Sequence, residues 1–345
     1  MELGIWIKPV PGDDLRLSLD AEREGFDLTL YGDSQNLFPD PFARMAMVAA
    51  RTSRIRVASG VTNPVTRDPA VTASTIAAIH AESGGRAVLG IGSGDSALGY
   101  LGLDYPAPLD VFATYVRRLR GYLRGEEVDL DGFPSRLHWL PEGLPPVPVD
   151  VSCTGPRTIR FAAATVDRVT LTVGAAPERI RWGVETAREG MARAGRDPAE
   201  VQLGAWLVVG VADDPREACE ALRSTVAVLG HFSGMKGAPL DSLPPILRRV
   251  AEGLRPAFER TEGGTRNDED YMRAVASCVD DEFVEWFSVI GRPQQVAAKL
   301  QALEALGLGH VSLVFGSPVA DAAFVAESRA RFVREVMPLL RAGRL

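Results

Sequence analysis

The sequence predicts a (β/α)8 barrel of the TIM type with loop insertions, built as one domain over residues 1–345. Eight short apolar runs rich in β-forming residues alternate with stretches of helical periodicity. The first run ends in Ile7-Lys8-Pro9-Val10-Pro11 and not in the G-x-G-x-x-G of a dinucleotide-binding open sheet. A chain of 345 residues is also a length that α/β barrels commonly use for a single domain.

The eight runs are residues 3–7, 28–31, 55–61, 87–91, 149–152, 169–172, 203–211 and 311–315. Helical spacing of apolar residues falls between them, clearest over 41–51, 70–81, 109–123 and 178–194, and 321–340 reads as a closing amphipathic helix. Three longer intervals, 96–108, 132–148 and 228–278, are rich in Gly, Pro and charge and read as insertions. Active-site loops of such barrels follow the C-terminal ends of the strands, so the first and third are candidates for a wall or lid.

Composition narrows the function. There are 38 Lys and Arg against 45 Asp and Glu, a net charge of -7, which disfavours a nucleic-acid partner. No apolar stretch approaches the ~20 residues of a membrane span. The N-terminus starts directly as a strand without a basic leader, so the expectation is a soluble, cytoplasmic protein. Cys153, Cys219 and Cys278 are odd in number and far apart, which fits a reducing compartment. His80, His138, His231 and His310 stand in no metal-ligating spacing, so no metal centre is expected.

The strand ends carry the candidate chemistry. After the second run come Asp33, Ser34 and Gln35, polar residues at the barrel mouth, with no partner set for serine acyl transfer. The third ends in Gly60-Val61-Thr62-Asn63, where a glycine inside a strand marks either a plain kink or the close approach of a ligand, and Thr62 and Asn63 supply hydroxyl and amide groups. The fourth ends in Gly90-Ile91-Gly92-Ser93-Gly94-Asp95, a permissive flat wall with Asp95 as either a proton donor or a solvated loop aspartate. After the fifth, Thr154-Gly155-Pro156-Arg157 opens a helix with Pro at its first position, an anion site or a simple cap. Val173-Gly174 after the sixth is a second small-residue mouth, and the two adjacent loops are together consistent with a phosphate clamp.

The stretches Gly60-Val61-Thr62-Asn63-Pro64-Val65-Thr66-Arg67-Asp68-Pro69 and Ser83-Gly84-Gly85-Arg86 through Asp95 resemble the bacterial luciferase-like superfamily, on the side of the coenzyme F420-dependent methylenetetrahydromethanopterin reductases. Gly155-Pro156, Gly195-Arg196-Asp197-Pro198, Phe287 to Gly291 and Phe315-Gly316-Ser317-Pro318 follow in family order over nearly the whole chain. The resemblance implies a luciferase-like barrel, a homodimer, and a deazaflavin or flavin at the C-terminal mouth. It places a non-prolyl cis peptide at Gly60-Val61, ring-lining positions at Thr62, Asn63, Ser93 and Gly94, and a phosphate region at Gly155, Pro156, Val173 and Gly174. Arg67, Arg160 and Arg179 are candidates to attract the anionic tail.

The same resemblance marks departures. Trp6 stands where the reductases carry a Glu on the first strand, and Asp33-Ser34 where they carry an Asp-His pair. Trp6 implies an aromatic wall for the substrate, beside Ser34 and Gln35. Asp95 matches an acidic position that donates a proton in sugar-phosphate-oxidising relatives, and Asp33 is the second catalytic candidate. The function expected is hydride transfer between F420 and a small organic substrate. The alternatives are an FMN-dependent monooxygenase and a non-catalytic partner subunit.

Overall fold

Strand β1 (Glu2–Trp6) pairs in parallel with β2 (Leu28–Tyr31), and the ladder continues through β3 (Arg56–Ser59), β4 (Ala87–Ile91), β5 (Val149–Cys153), β6 (Arg168–Leu171), β7 (Gln202–Val211) and β8 (His310–Val314). The pairing of β8 with β1, Leu3 opposite Val311, closes the barrel. The structure, a computed structural model, describes residues 1–94, 96–103, 109–234, 239–259, 269–316 and 319–342. The eight runs legible in the sequence are the eight barrel strands. The third is shorter than its apolar run, because the β2 ladder stops at Ser59 and the chain bulges at Gly60.

The outer helices are α1 (Asp13–Glu24), α2 (Pro41–Ala49), α3 (Pro69–Glu82), α4 (Leu109–Leu123), α5 (Pro156–Thr165), α6 (Pro177–Arg193), α7 (Pro215–Ser233), α8 (Pro245–Glu259), α9 (Glu269–Ala276), α10 (Asp281–Phe287) and α11 (Pro293–Ala305). Several start on one local device. Asp40, Asp68 and Asp214 cap α2, α3 and α7 with side-chain oxygens that accept backbone N–H bonds, and each is followed by Pro at the first helical position. The closing segment is two helices, Ala322–Arg331 and Met337–Ala342, joined by a π turn over Phe332–Val336.

Period-2 alternation sends every second strand residue into the barrel. The N-terminal layer of that interior is ionic. Arg168 donates to Glu2 at 2.8 Å and to Asp150 at 3.5 Å, Arg56 pairs with Glu2 at 2.9 Å, and Thr170 bonds Asp150 and His310. Gly204 makes room for the His310 ring, which would lie 2.2 Å from a Cβ there. Burial, with Arg168 and Arg56 adding to it, holds the His310 pKa well below its ordinary value, so the imidazole is neutral. Above this layer the interior turns apolar, with Leu28, Leu30, Ala58, Val88, Trp206 and Val314 in one cluster. The outward-facing strand residues pack the main core against the helices.

The interval 228–278 differs from its sequence reading as a loop insertion. Its described part begins inside α7 and carries α8 and α9, and Leu222, Val226, Leu247, Leu254, Met272 and Phe283 share a second apolar cluster beside β7. Helical periodicity was hidden there because Gly230 falls inside α7 and Gly253 and Pro256 inside α8. A short strand, Val289–Gly291, adds to the far end of β7. The interval 132–148 starts within a small hairpin, Val128–Leu130 with Phe133–Ser135, turned by Asp131 and Gly132 at φ 55° and 95°.

Candidate active site

The sheet order puts the ends of β1 to β4 on one side of the mouth and those of β5 and β6 on the other. Thr62 holds the first side together. Its N–H donates to the Gly90 carbonyl at 3.0 Å, and its carbonyl accepts from Gly92 N at 2.9 Å, so the chain after β3 rejoins β4. Gly60 and Val61 form the bulge between, and the peptide bond joining them is cis. Gly60 N donates to the Tyr31 carbonyl at 2.7 Å. A side chain at Gly60 would strike Leu30 and the Trp206 indole, at 2.9 and 3.1 Å. At Gly90 a Cβ would sit 2.1 Å from the Ser59 carbonyl oxygen, so β3 and β4 approach as closely as they do because that residue is glycine.

Asp33 is 8% exposed, and its Oδ2 accepts a 2.6 Å hydrogen bond from the buried Thr62 hydroxyl. Burial raises its pKa; the Thr62 bond and the Arg67 charge oppose that rise, and Asp40 adds to it. A carboxyl in this setting holds its proton to higher pH than an exposed one. Ser34 is buried beside it, with its carbonyl accepting from Leu37 and Phe38 N–H groups. Gln35 is exposed, and its amide donates to the Ala97 carbonyl at 2.7 Å, tying the β2 loop to the β4 loop. Trp6 is half-buried and meets Phe38 edge to face, ring centroids 6.0 Å apart, as an aromatic wall.

Asn63 is 1% exposed. Its Oδ1 accepts from the Val65 and Thr66 N–H groups, both at 3.0 Å, which fixes the amide orientation and leaves Nδ2 as a buried donor without a partner. Gly94, at φ 90°, lies against it: a Cβ there would be 3.1 Å from the Asn63 Cβ. Ser93 is partly exposed at the same edge. Asp95 lies outside the described residues.

Across the mouth, Gly155 is the N-cap residue of α5, with extended backbone, no side-chain cap and Pro156 at the first helical position. Thr154, Gly155 and Pro156 are partly exposed. Arg157 is exposed, and Arg160 pairs with Glu189 at 3.0 Å. Val173 is fully buried, and Gly174, at φ 80°, packs under Phe287 of α10, while the Thr172 carbonyl accepts from Ser233 of α7. The end of β6 is therefore roofed by the helices over β7. Among the described residues no group of three or more His, Cys, Asp or Glu is placed to hold a metal ion, and no helix is long and apolar enough to cross a membrane. Two surface depressions lie at the opposite end of the barrel, one lined by Glu2, Asp27, Arg56 and Gln202, over the ionic layer.

Residues 8–310 match the model of the luciferase-like monooxygenase family. The chain belongs to this family. Among relatives in the same family it is similar to the 5,10-methylenetetrahydromethanopterin reductase of Methanolobus tindarius, 30% identical over 302 residues, 87% of this chain and 88% of that protein. It is also similar to the F420-dependent glucose-6-phosphate dehydrogenase of Rhodococcus erythropolis, 29% identical over 355 residues, 96% of this chain and 94% of that protein. The solved structure of the coenzyme F420-dependent tetrahydromethanopterin reductase of Methanopyrus kandleri superposes with a TM-score of 0.76, 25% identity and 98% coverage of both chains.

Two further residues of this luciferase-like mouth, Trp206 and Phe38, carry no sequence motif. Trp206 forms its floor beneath Gly60, and its Nε1 donates to Ser152 Oγ at 2.9 Å. Phe38 completes the Trp6 wall. Alternation along β7, which turns 202, 204 and 206 inward together, was the one available signal for Trp206.

Proposed function

We propose that this protein is an F420-dependent oxidoreductase that transfers a hydride between the deazaflavin and a small organic substrate at the mouth of the barrel. The observation that carries the proposal is the Gly60–Val61 bulge beside the buried, unpartnered Asn63 Nδ2. A planar heterocycle bearing carbonyl groups fits there: it lies flat where side chains are missing, and it satisfies the orphaned donor. The naming of relatives as F420-dependent supports the choice of ring.

The residues that would hold it are Gly60, Val61, Thr62, Asn63, Ser93 and Gly94 along the ring, with Thr154, Gly155, Pro156 and Arg157 near the phosphate and Val173 and Gly174 behind. When bound, the deazaflavin supplies a two-electron carrier that gives or takes a hydride at its C5 carbon. The protein's own part is electrostatic and steric. The uncapped first turn of α5 offers N–H groups and a positive helix end to an anion. Trp6 and Phe38 present an apolar wall to the substrate, and Trp206 closes the floor against water.

Hydride delivery to an unsaturated or carbonyl carbon leaves charge on the neighbouring atom, which requires a proton. Asp33, protonated to higher pH by its burial, would hold that proton at Oδ1, since Oδ2 accepts from Thr62. Asp95 is the second acid, carried by resemblance. The substrate class is an apolar or planar unsaturated molecule, as the Trp6–Phe38 wall favours. The test is turnover of reduced F420 with a panel of such substrates under strictly anaerobic conditions. Hydride transfer proceeds without oxygen, whereas turnover that appears only on admitting air, with FMN, would replace this proposal by a monooxygenase.

A further inference from the structure

Thr62 is fully buried, and its hydroxyl donates the one hydrogen bond that the Asp33 carboxylate accepts among the described residues, 2.6 Å to Oδ2. A threonine hydroxyl has a single proton, and Asp33 takes it, so Thr62 keeps none for a ring at the bulge. Asp33 Oδ1 has no partner among the described residues and stays in reach of solvent. The two oxygens of this carboxyl are therefore unlike, one turned into the protein and one out of it.

The bulge explains why Thr62 stands there. Tyr31 of β2 lies opposite Ser59 of β3, so a regular ladder would bring Val61 level with Asp33. The bulge takes up one residue: Gly60 N still donates to the Tyr31 carbonyl, and the next bridge joins Thr62 to Ile91 of β4. Thr62 is thus held by its backbone to Gly90 and Gly92 and by its side chain to Asp33. The charged and titratable groups around Asp33 offer it no substitute. Arg67 pairs with Asp40 and lies over the Phe42 ring, and the two charges act on Asp33 in opposite senses. The Tyr115 hydroxyl, which also senses Asp33, is bonded to Thr72 at 2.8 Å.

We infer that Thr62 is a positioning residue for the acid: by binding Oδ2 it fixes the carboxyl with Oδ1 toward the mouth, as the oxygen that exchanges a proton with the substrate. The inference rests on the function proposed above in taking Asp33 to be that acid. In the reducing direction Oδ1 gives its proton to the substrate atom left negative by the hydride, and the Thr62 hydroxyl stabilises the carboxylate that remains. Burial raises the Asp33 pKa, and the Thr62 bond is the largest effect opposing that rise, so loss of the bond raises it further.

The experiment compares wild type with Thr62→Val, which keeps the shape and removes the hydroxyl, and Thr62→Ser, which restores it; Thr62→Ala gives the same comparison if the valine variant does not fold. Three quantities are read. The first is the Asp33 titration in the ligand-free protein, by isotope-edited NMR of aspartate carboxyl carbons, assigned with Asp33→Asn. The others are the affinity for F420 and the pH profile of kcat on the substrate panel named above. In Thr62→Val the Asp33 pKa should rise by about 1 or more, since a hydrogen bond to a charged group is lost. The kcat profile should move the same way, kcat should fall about 10-fold or more with F420 affinity little changed, and Thr62→Ser should return each toward wild type. An unchanged Asp33 titration, even with a lower melting temperature, overturns the inference in favour of a structural threonine and leaves the F420 proposal standing. A moved titration with an unmoved kcat profile also overturns it, because the acid then lies elsewhere. Loss of F420 affinity in proportion to kcat assigns Thr62 to the ring and overturns it as well. If wild type turns over none of the panel, the proposed function fails. Thr62 is then judged on the ligand-free titration alone: a rise that serine reverses upholds its hold on Asp33, and no rise overturns it.

Discussion

Thr62 donates a 2.6 Å hydrogen bond to Asp33, and this bond joins the end of β2 to the bulged segment after β3. The acid is thereby fixed next to the Gly60–Val61 bulge, in an environment where burial favours its protonated form. One contact couples the proposed proton source to the surface on which a flat ring would lie.

Replacing Asp33 with Asn keeps an acceptor for Thr62 and removes the titrating proton. Under the proposed chemistry Asp33→Asn lowers kcat by roughly 10²- to 10⁴-fold, with F420 affinity changed little. Steady-state kinetics alongside a binding titration check this. If Asp33→Asn turns over like wild type and Asp95→Asn does not, the acid is Asp95.

The same substitution has a signature in stability. A carboxyl whose pKa is raised by folding favours the native state while protonated, and that contribution disappears as pH rises through the folded pKa. Above the folded pKa ionised Asp33 is therefore a net cost, and there Asp33→Asn is expected to unfold at a higher urea concentration than wild type. The advantage should shrink as pH falls through the folded pKa and be gone below the ordinary carboxylate range. A constant offset across pH would contradict the raised pKa.

Gly90→Ala tests the close approach of β3 and β4. The new Cβ would lie 2.1 Å from the Ser59 carbonyl, beside the bond from Ser59 Oγ to the Gly90 carbonyl at 2.8 Å. Neither backbone can yield without breaking the ladder, so the expected loss is about 3 kcal/mol or more in urea unfolding. A loss below about 1 kcal/mol would mean the strands are less tightly held.

The ionic layer lies at the other end of the barrel from the candidate site. Arg168→Met leaves Glu2 and Asp150 without their shared cation and should cost about 3–5 kcal/mol, with the affinity for F420 unchanged in the folded fraction. Equilibrium unfolding and titration of the same sample separate the two effects.

The barrel was legible because a parallel strand buried on both faces leaves a continuous apolar run with turn residues at its ends, as in 87–91. Asp33, Thr62 and Asn63 could be placed at the mouth by the rule that strand ends carry function. That Thr62 would bond Asp33 could not, since the contact spans 29 residues and depends on barrel register. Trp206 was hidden because nothing in Gly204-Ala205-Trp206-Leu207 separates a floor residue from ordinary core. Arg179 was one of three arginines named for an anionic tail, and its burial is what separates it from Arg67 and Arg160. The helical layer of 228–278 was obscured because Gly230, Gly253 and Pro256 sit inside its helices and interrupt the expected period.

The most direct test of the central claim is a fluorescence titration of the ligand-free protein with F420 and, separately, FMN at matched ionic strength. Tight F420 binding with weak FMN binding is the predicted result. A preference for FMN, or no binding of F420, would contradict it.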